Sequence, residues 1–258
     1  MNYELIKIEE KFSGQVAKIS LNAPSANILS CKMMEEISRA LGEIEKKRQT
    51  KLVIITGAGA HFSFGASVEE HLPGKVDGML PQFHRFIGEV LNFPVPTVAQ
   101  ISGMCLGGGF ELAIACSLIF ADETAKCGVP EIHLGVFPPV AAALLPILSR
   151  GAAATQMLLT GDRFGAHDLD KFGLLNKVVA TGTLETELSA FIEKQILPKS
   201  ASSLRIAHRA ARLTVCEHYA AQIGKLEKMY LKELMQTEDA KEGITAFVEK
   251  RPAKWKDM

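Results

Sequence analysis

The chain has 258 residues, 47% of them hydrophobic and 22% charged, and its 29 Lys and Arg balance 29 Asp and Glu. A chain of this length can bury a full core, as one large α/β domain or as a core with an appendage, and with no field of one sign over its surface nucleic acid is not an expected partner. Its five cysteines are scattered and never form a C-x-x-C pair, and its seven histidines show no pair at metal-ligand spacing, so the composition offers neither a disulfide framework nor a metal site.

The first residues alternate apolar and charged side chains and lack the basic start, apolar stretch and cleavage site of a secretory signal, so a cytoplasmic protein is expected. Two strand-like runs, Tyr3 to Glu9 and Gln15 to Leu21, flank a polar turn at Ser13-Gly14 and read as a hairpin. Ser30 is placed to cap a helix in which Met33, Ile37, Leu41 and Ile44 recur at spacings of three and four. Lys51 to Thr56 and Val98 to Ile101 read as buried strands, each feeding a Gly-rich loop, so the expected sheet is parallel with right-handed βαβ crossovers. Between them Phe83, Phe86, Ile87, Val90 and Leu91 make an apolar helix stripe, either core packing or pocket wall. The greasiest stretch, Val136 to Leu148, carries Pro138, Pro139 and Pro146 and is not a membrane span. Beyond Leu197-Pro198 the strands stop, and helical spacing continues through Ala207, Leu213, Ile223, Leu226, Tyr230 and Leu234. The expected organisation is an α/β core over residues 1–197 followed by a helical subdomain over 198–258.

The most informative segment runs from Ile101 to Cys116, where Gly107, Gly108 and Gly109 join a strand to an amphipathic helix. Without a Cβ a ligand can approach the main chain, and the unpaired N–H groups at a helix start point outward with the positive end of the dipole. An oxyanion fits such a place; so does a tight packed turn with no ligand. The spacing is not a dinucleotide fingerprint, and Ser63 and Ser67 lack a G-x-S-x-G elbow. Glu111 falls in the first turn of the helix, where it either complements the dipole or serves as an acid or base. Glu131, directly after Pro130 in an apolar stretch, is its candidate partner; burial there would raise its pKa, and the alternative is a surface loop.

A third loop, Gly57 to Glu70, can bring a second N–H beside Gly65. The succession of this loop, Leu106-Gly-Gly-Gly-Phe-Glu-Leu, Pro130-Glu131 with Gly135, and Glu242-Gly-Ile-Thr-Ala-Phe-Val-Glu-Lys-Arg251 resembles the crotonase family of enoyl-CoA hydratases and isomerases over essentially the whole chain. The resemblance implies a crotonase-like spiral of βαβ units with a helical C-terminal subdomain. It also implies an acyl-coenzyme A thioester as substrate, no separate cofactor, and assembly as a homotrimer or a dimer of trimers. Carried over residue by residue, it makes Ala66 N–H and Gly108 N–H the oxyanion hole and Glu111 and Glu131 the catalytic pair. It puts Ser25, Ala26, Ser67 and Val68 at the coenzyme A adenine, and Phe247 and Lys250 in the tail that closes over coenzyme A.

Retention of both glutamates points to a hydratase, since holding a water between carboxylates needs the pair. Ser67, Phe64 and Pro138 to Ala142 depart from the usual pattern and imply a reshaped acyl pocket. The run Phe62 to His71 is similar to the hydratases of anaerobic aromatic breakdown that act on cyclohexa-1,5-diene-1-carbonyl-CoA. The alternatives are a straight-chain enoyl-CoA hydratase and a non-catalytic ligand- or RNA-binding member of the fold.

Overall fold

The computed structural model describes residues 2–24 and 26–258; the coenzyme A role expected of Ser25 lies outside the described residues. The hairpin is β1 (Ile6–Lys11) against β2 (Val16–Leu21), antiparallel, with its turn carried by positive φ angles at Phe12, Ser13 and Gly14. Ser30 Oγ accepts from Met33 N at 3.3 Å and starts α1 (Cys31–Glu45), whose Met33, Ile37, Leu41 and Ile44 are all buried. The chain continues through β3 (Leu52–Gly57), α2 (Val76–Asn92), β4 (Thr97–Ile101), β5 (Met104–Leu106), α3 (Gly108–Ala115), β6 (Leu118–Asp122) and β7 (Lys126–Gly128). A 3-10 turn over Pro130–Leu134 leads into α4 (Pro139–Leu148), α5 (Ala153–Thr160), β8 (Phe164–Gly165), α6 (Ala166–Lys171) and β9 (Lys177–Val179). Three helices complete it: α7 (Leu184–Phe191), α8 (Ala201–Lys232) and α9 (Glu238–Val248). The last strand therefore ends at Val179, earlier than residue 197, because α7 already belongs to the helical stretch.

The main sheet has the order β1-β2-β3-β4-β6-β9 and is parallel from β2 onward; a second sheet has the order β5-β7-β8. Twice the chain leaves the main sheet for the small one, from β4 to β5 and from β6 to β7, which generates the spiral. Both faces of the main sheet are covered, so Leu52 to Ile55 of β3 and all of β4 are buried, with side chains alternating between two cores and Thr97 and Gln100 as the polar members of β4. Val53 and Ile55 join the large core with α1, α2, α3 and α4, while Leu52 and Ile54 join Leu184 and Leu188 of α7 on the opposite face. The long α8 packs along α4 and α2, and its Tyr219 and Tyr230, with Ile244 of α9, belong to the large core.

Candidate active site

The junction between β5 and α3 is fixed by main-chain hydrogen bonds. Gly107 N donates to Gly128 O at 2.9 Å, and Gly107 O accepts from Phe110 N at 2.8 Å and Glu111 N at 2.9 Å. Gly107 has φ +50°, and a Cβ there would meet Glu131 Oε1 at 2.6 Å, so two features of the site require a glycine at this one position. A Cβ on Gly108 would stand 3.1 Å from Ala66 N, which puts the two main-chain N–H groups side by side. Among the described residues neither N–H has an acceptor.

Ala66 is held in place by a buried polar network. Ser63 Oγ donates to Asn27 O at 2.7 Å and accepts from Gly65 N at 3.1 Å, while Asn27 Nδ2 donates to Ala58 O and His61 O, both at 3.0 Å. Leu29 N donates to Gly65 O at 2.9 Å. Asn27 and Ser63 thus anchor the loop that presents Ala66, a role that no sequence signal disclosed because the two lie far apart along the chain.

Glu111 is 4% exposed, within the first turn of α3 as expected. Its Oε1 accepts from Ala141 N at 2.8 Å, and Val140 N also bonds its carboxylate, so the side chain of one helix occupies the open N-terminus of another, α4. Burial pushes its pKa up to about 7 against these two donors. Glu131 projects from the 3-10 turn with Oε2 sealed from solvent and without a partner among the described residues. Burial first, and then the charge of Glu111, raises it well above the carboxylate range. Two interacting carboxylates at one cavity release their protons as a unit, so near neutrality the pair keeps a proton that ordinary carboxylates would have lost.

Both glutamates line a cavity of about 900 Å³ together with Ala66, Gly107 and Gly108. The structure brings Ala26, Ser67, Val68, Phe247 and Lys250 to the same cavity, along with Phe64, Pro138 and Pro139. Of the α2 stripe only Phe83 reaches it; Phe86, Ile87, Val90 and Leu91 are core. Val140 to Ala142 do not line it, and the effect of this segment is instead to seat Glu111. Tyr230, a member of the apolar row on α8, stands at the cavity with a buried hydroxyl that has no partner among the described residues.

Two carboxyl groups that hold a proton and two main-chain N–H groups with no acceptor among the described residues thus line one cavity, an arrangement able to exchange a proton and to bind a carbonyl oxygen. The model of the family described as enoyl-CoA hydratase/isomerase matches residues 11–258. The chain is 38% identical to cyclohexa-1,5-dienecarbonyl-CoA hydratase of Thauera aromatica, over 98% of this chain and 97% of the relative. It is 36% identical to a probable enoyl-CoA hydratase of Rhizobium meliloti, over 99% of each. A solved enoyl-CoA hydratase/isomerase from Xanthobacter autotrophicus Py2 superimposes with a TM-score of 0.85 at 27% identity, covering 97% of this chain and 98% of that one. This chain belongs to the enoyl-CoA hydratase/isomerase family, has its crotonase fold, and is an enzyme of the hydro-lyase type.

Proposed function

We propose that this enzyme adds water to a conjugated cyclic dienoyl thioester, taking cyclohexa-1,5-diene-1-carbonyl-CoA to 6-hydroxycyclohex-1-ene-1-carbonyl-CoA. The observation that carries hydration is the pair Glu111, buried, and Glu131, half-buried with its Oε2 sealed from solvent, both raised in pKa and both lining the cavity that Ala66 and Gly108 also line. The two N–H groups take the thioester oxygen and stabilise the negative charge that grows on it as the β carbon is attacked. One glutamate, ionised, accepts a proton from the water whose oxygen bonds to that carbon. The other, protonated, delivers a proton to the ring, so hydroxyl and hydrogen are added and the pair as a whole is restored.

The cyclic substrate is supported by the identity to the Thauera aromatica hydratase, which covers nearly all of both chains, and by a cavity lined with broad side chains: Phe64, Phe83, Phe137, Tyr230 and the rings of Pro138 and Pro139. Coenzyme A is part of the substrate, and no further cofactor enters. Its adenine end goes to Ala26, Ser67 and Val68, and the tail that carries Phe247 and the exposed Lys250 closes over it. Straight-chain hydration is the second reading, favoured by the similarity to the Rhizobium meliloti protein. Purified enzyme given crotonyl-CoA and cyclohexa-1,5-diene-1-carbonyl-CoA side by side, with thioester absorbance followed, separates the two by the ratio of kcat/KM. A ratio in favour of crotonyl-CoA overturns the ring assignment; no turnover of either overturns hydration.

A further inference from the structure

Two polar atoms at the cavity, Tyr230 Oη and Glu131 Oε2, are sealed from solvent and have no partner among the described residues. Tyr230 is 1% exposed and packs edge-on against Phe137 with ring centroids 5.5 Å apart. The same helix shows what a hydroxyl used for structure does: Tyr219 Oη donates to His84 O at 2.7 Å. A buried hydroxyl left unpaired is worse for folding than no hydroxyl, so packing alone would favour phenylalanine at position 230. Burial, and then the charges of Glu131 and Glu111, hold the phenol above its ordinary pKa, so it keeps its proton and remains a donor. Tyr230 Oη and Glu131 Oε2 are therefore, among the described residues, two polar atoms at one cavity free to bind an oxygen of a ligand.

We propose that Tyr230 is a third polar group of the hydration site, donating a hydrogen bond to the oxygen that is added to the substrate and holding it against Glu131. That oxygen is the water before addition and the product hydroxyl after it; the phenol gives up no proton at either stage. This rests on the hydratase reading.

The test is Tyr230→Phe, with Tyr219→Phe as the matched control on the same helix. Calorimetry would compare 3-hydroxybutyryl-CoA with butyryl-CoA, and 6-hydroxycyclohex-1-ene-1-carbonyl-CoA with cyclohex-1-ene-1-carbonyl-CoA, each pair differing only in the hydroxyl. Removing Tyr230 Oη should narrow the preference for the hydroxylated member by about threefold to tenfold, the scale of one neutral hydrogen bond. Turnover should fall by about tenfold with KM within about twofold of wild type, and thermal stability should hold or rise. Tyr219→Phe should leave the hydroxyl preference intact. Wild-type hydration with an unchanged preference in Tyr230→Phe would overturn the proposal while sparing the hydratase reading. A wild type that hydrates neither substrate, with the preference still lost in Tyr230→Phe, would overturn the hydratase reading and with it the hydration role, leaving only a hydroxyl-binding contact.

Discussion

A carboxyl group sealed from water holds its proton to higher pH, and in Glu111 burial outweighs two main-chain donors to bring the pKa to about 7. The unfolded chain releases that proton near the ordinary value of 4.5, so between these limits the folded state binds more protons than the unfolded one. Stability linked to Glu111 is therefore fully present below the unfolded pKa and falls as pH rises through the folded one, by about 3 kcal/mol at most. Glu111→Gln keeps an acceptor for Ala141 N and removes the charge. Denaturation at pH 5 and pH 8 should show the variant gaining on wild type at the higher pH; a gain at pH 5 alone would contradict the burial argument. For catalysis the same substitution, like Glu131→Gln, should lower kcat by about a hundredfold or more. The wild-type profile should be bell-shaped with its alkaline limb well above the carboxylate range, since that limb reports loss of the shared proton. Turnover unchanged in either variant removes that residue from the mechanism. Both glutamates were legible in the sequence, one by its offset from the glycines and the other by its place after Pro130. Tyr230 was not, because a tyrosine in step with Ile223, Leu226 and Leu234 looks like core until its hydroxyl is found without a partner among the described residues.

At the scale of elements, the site is an arrangement of ends: the start of α3, the start of α4, the 3-10 turn after β7, and the loop that carries Ala66 from β3. Helix starts leave N–H groups unpaired, and here one start faces the cavity while the other is closed by Glu111. Gly108→Ala tests the open one, because its Cβ would stand 3.1 Å from Ala66 N and 3.3 Å from Phe83 Cζ, in the space a thioester oxygen needs. Activity should drop by about a hundredfold, the scale of losing an oxyanion donor, with the fold retained by circular dichroism; a folded variant with normal turnover would contradict the assignment. The parallel strands could be read because Leu52 to Ile55 of β3 is apolar on both faces and β4 is mostly so, with Val98, Ala99 and Ile101. The short β5, β7 and β8, three residues or fewer, are too brief for any alternation to register. Likewise α4 was hidden by its prolines: Pro139 sits at the first helical position, where its missing N–H costs nothing, so a segment that looked interrupted is the helix that seats Glu111.

The whole molecule leaves apolar side chains outside, among them Ile206 and Leu213, seven residues apart and so on one face of α8, at 58% and 54% exposure, and Leu159 on α5. An apolar stripe of this kind fits a surface covered by other copies, and light scattering of the purified enzyme should give the mass of a trimer or of a dimer of trimers; a monomer would leave the stripe unexplained. The largest-scale question is how an apolar cavity with two carboxylates handles a diene. In a simple enoyl thioester the hydroxyl joins the β carbon and the proton joins the adjacent α carbon. In the ring diene the proposed reaction is a 1,4-addition: the hydroxyl joins the β carbon, the remaining double bond moves to the α carbon, and the proton joins the far end of the diene. Acid and base would then act at separated points, and the two candidate carboxyl groups come from separate elements, Glu111 from α3 and Glu131 from the turn after β7, on a cavity that Phe64 and Phe137 also line. Run in heavy water, the reaction should leave deuterium on a ring carbon that is not bonded to the thioester-bearing carbon, and NMR of the product locates it. Deuterium on the thioester-bearing carbon itself would mean ordinary 1,2-addition, and the two glutamates would then be serving one bond rather than the two ends of a conjugated system.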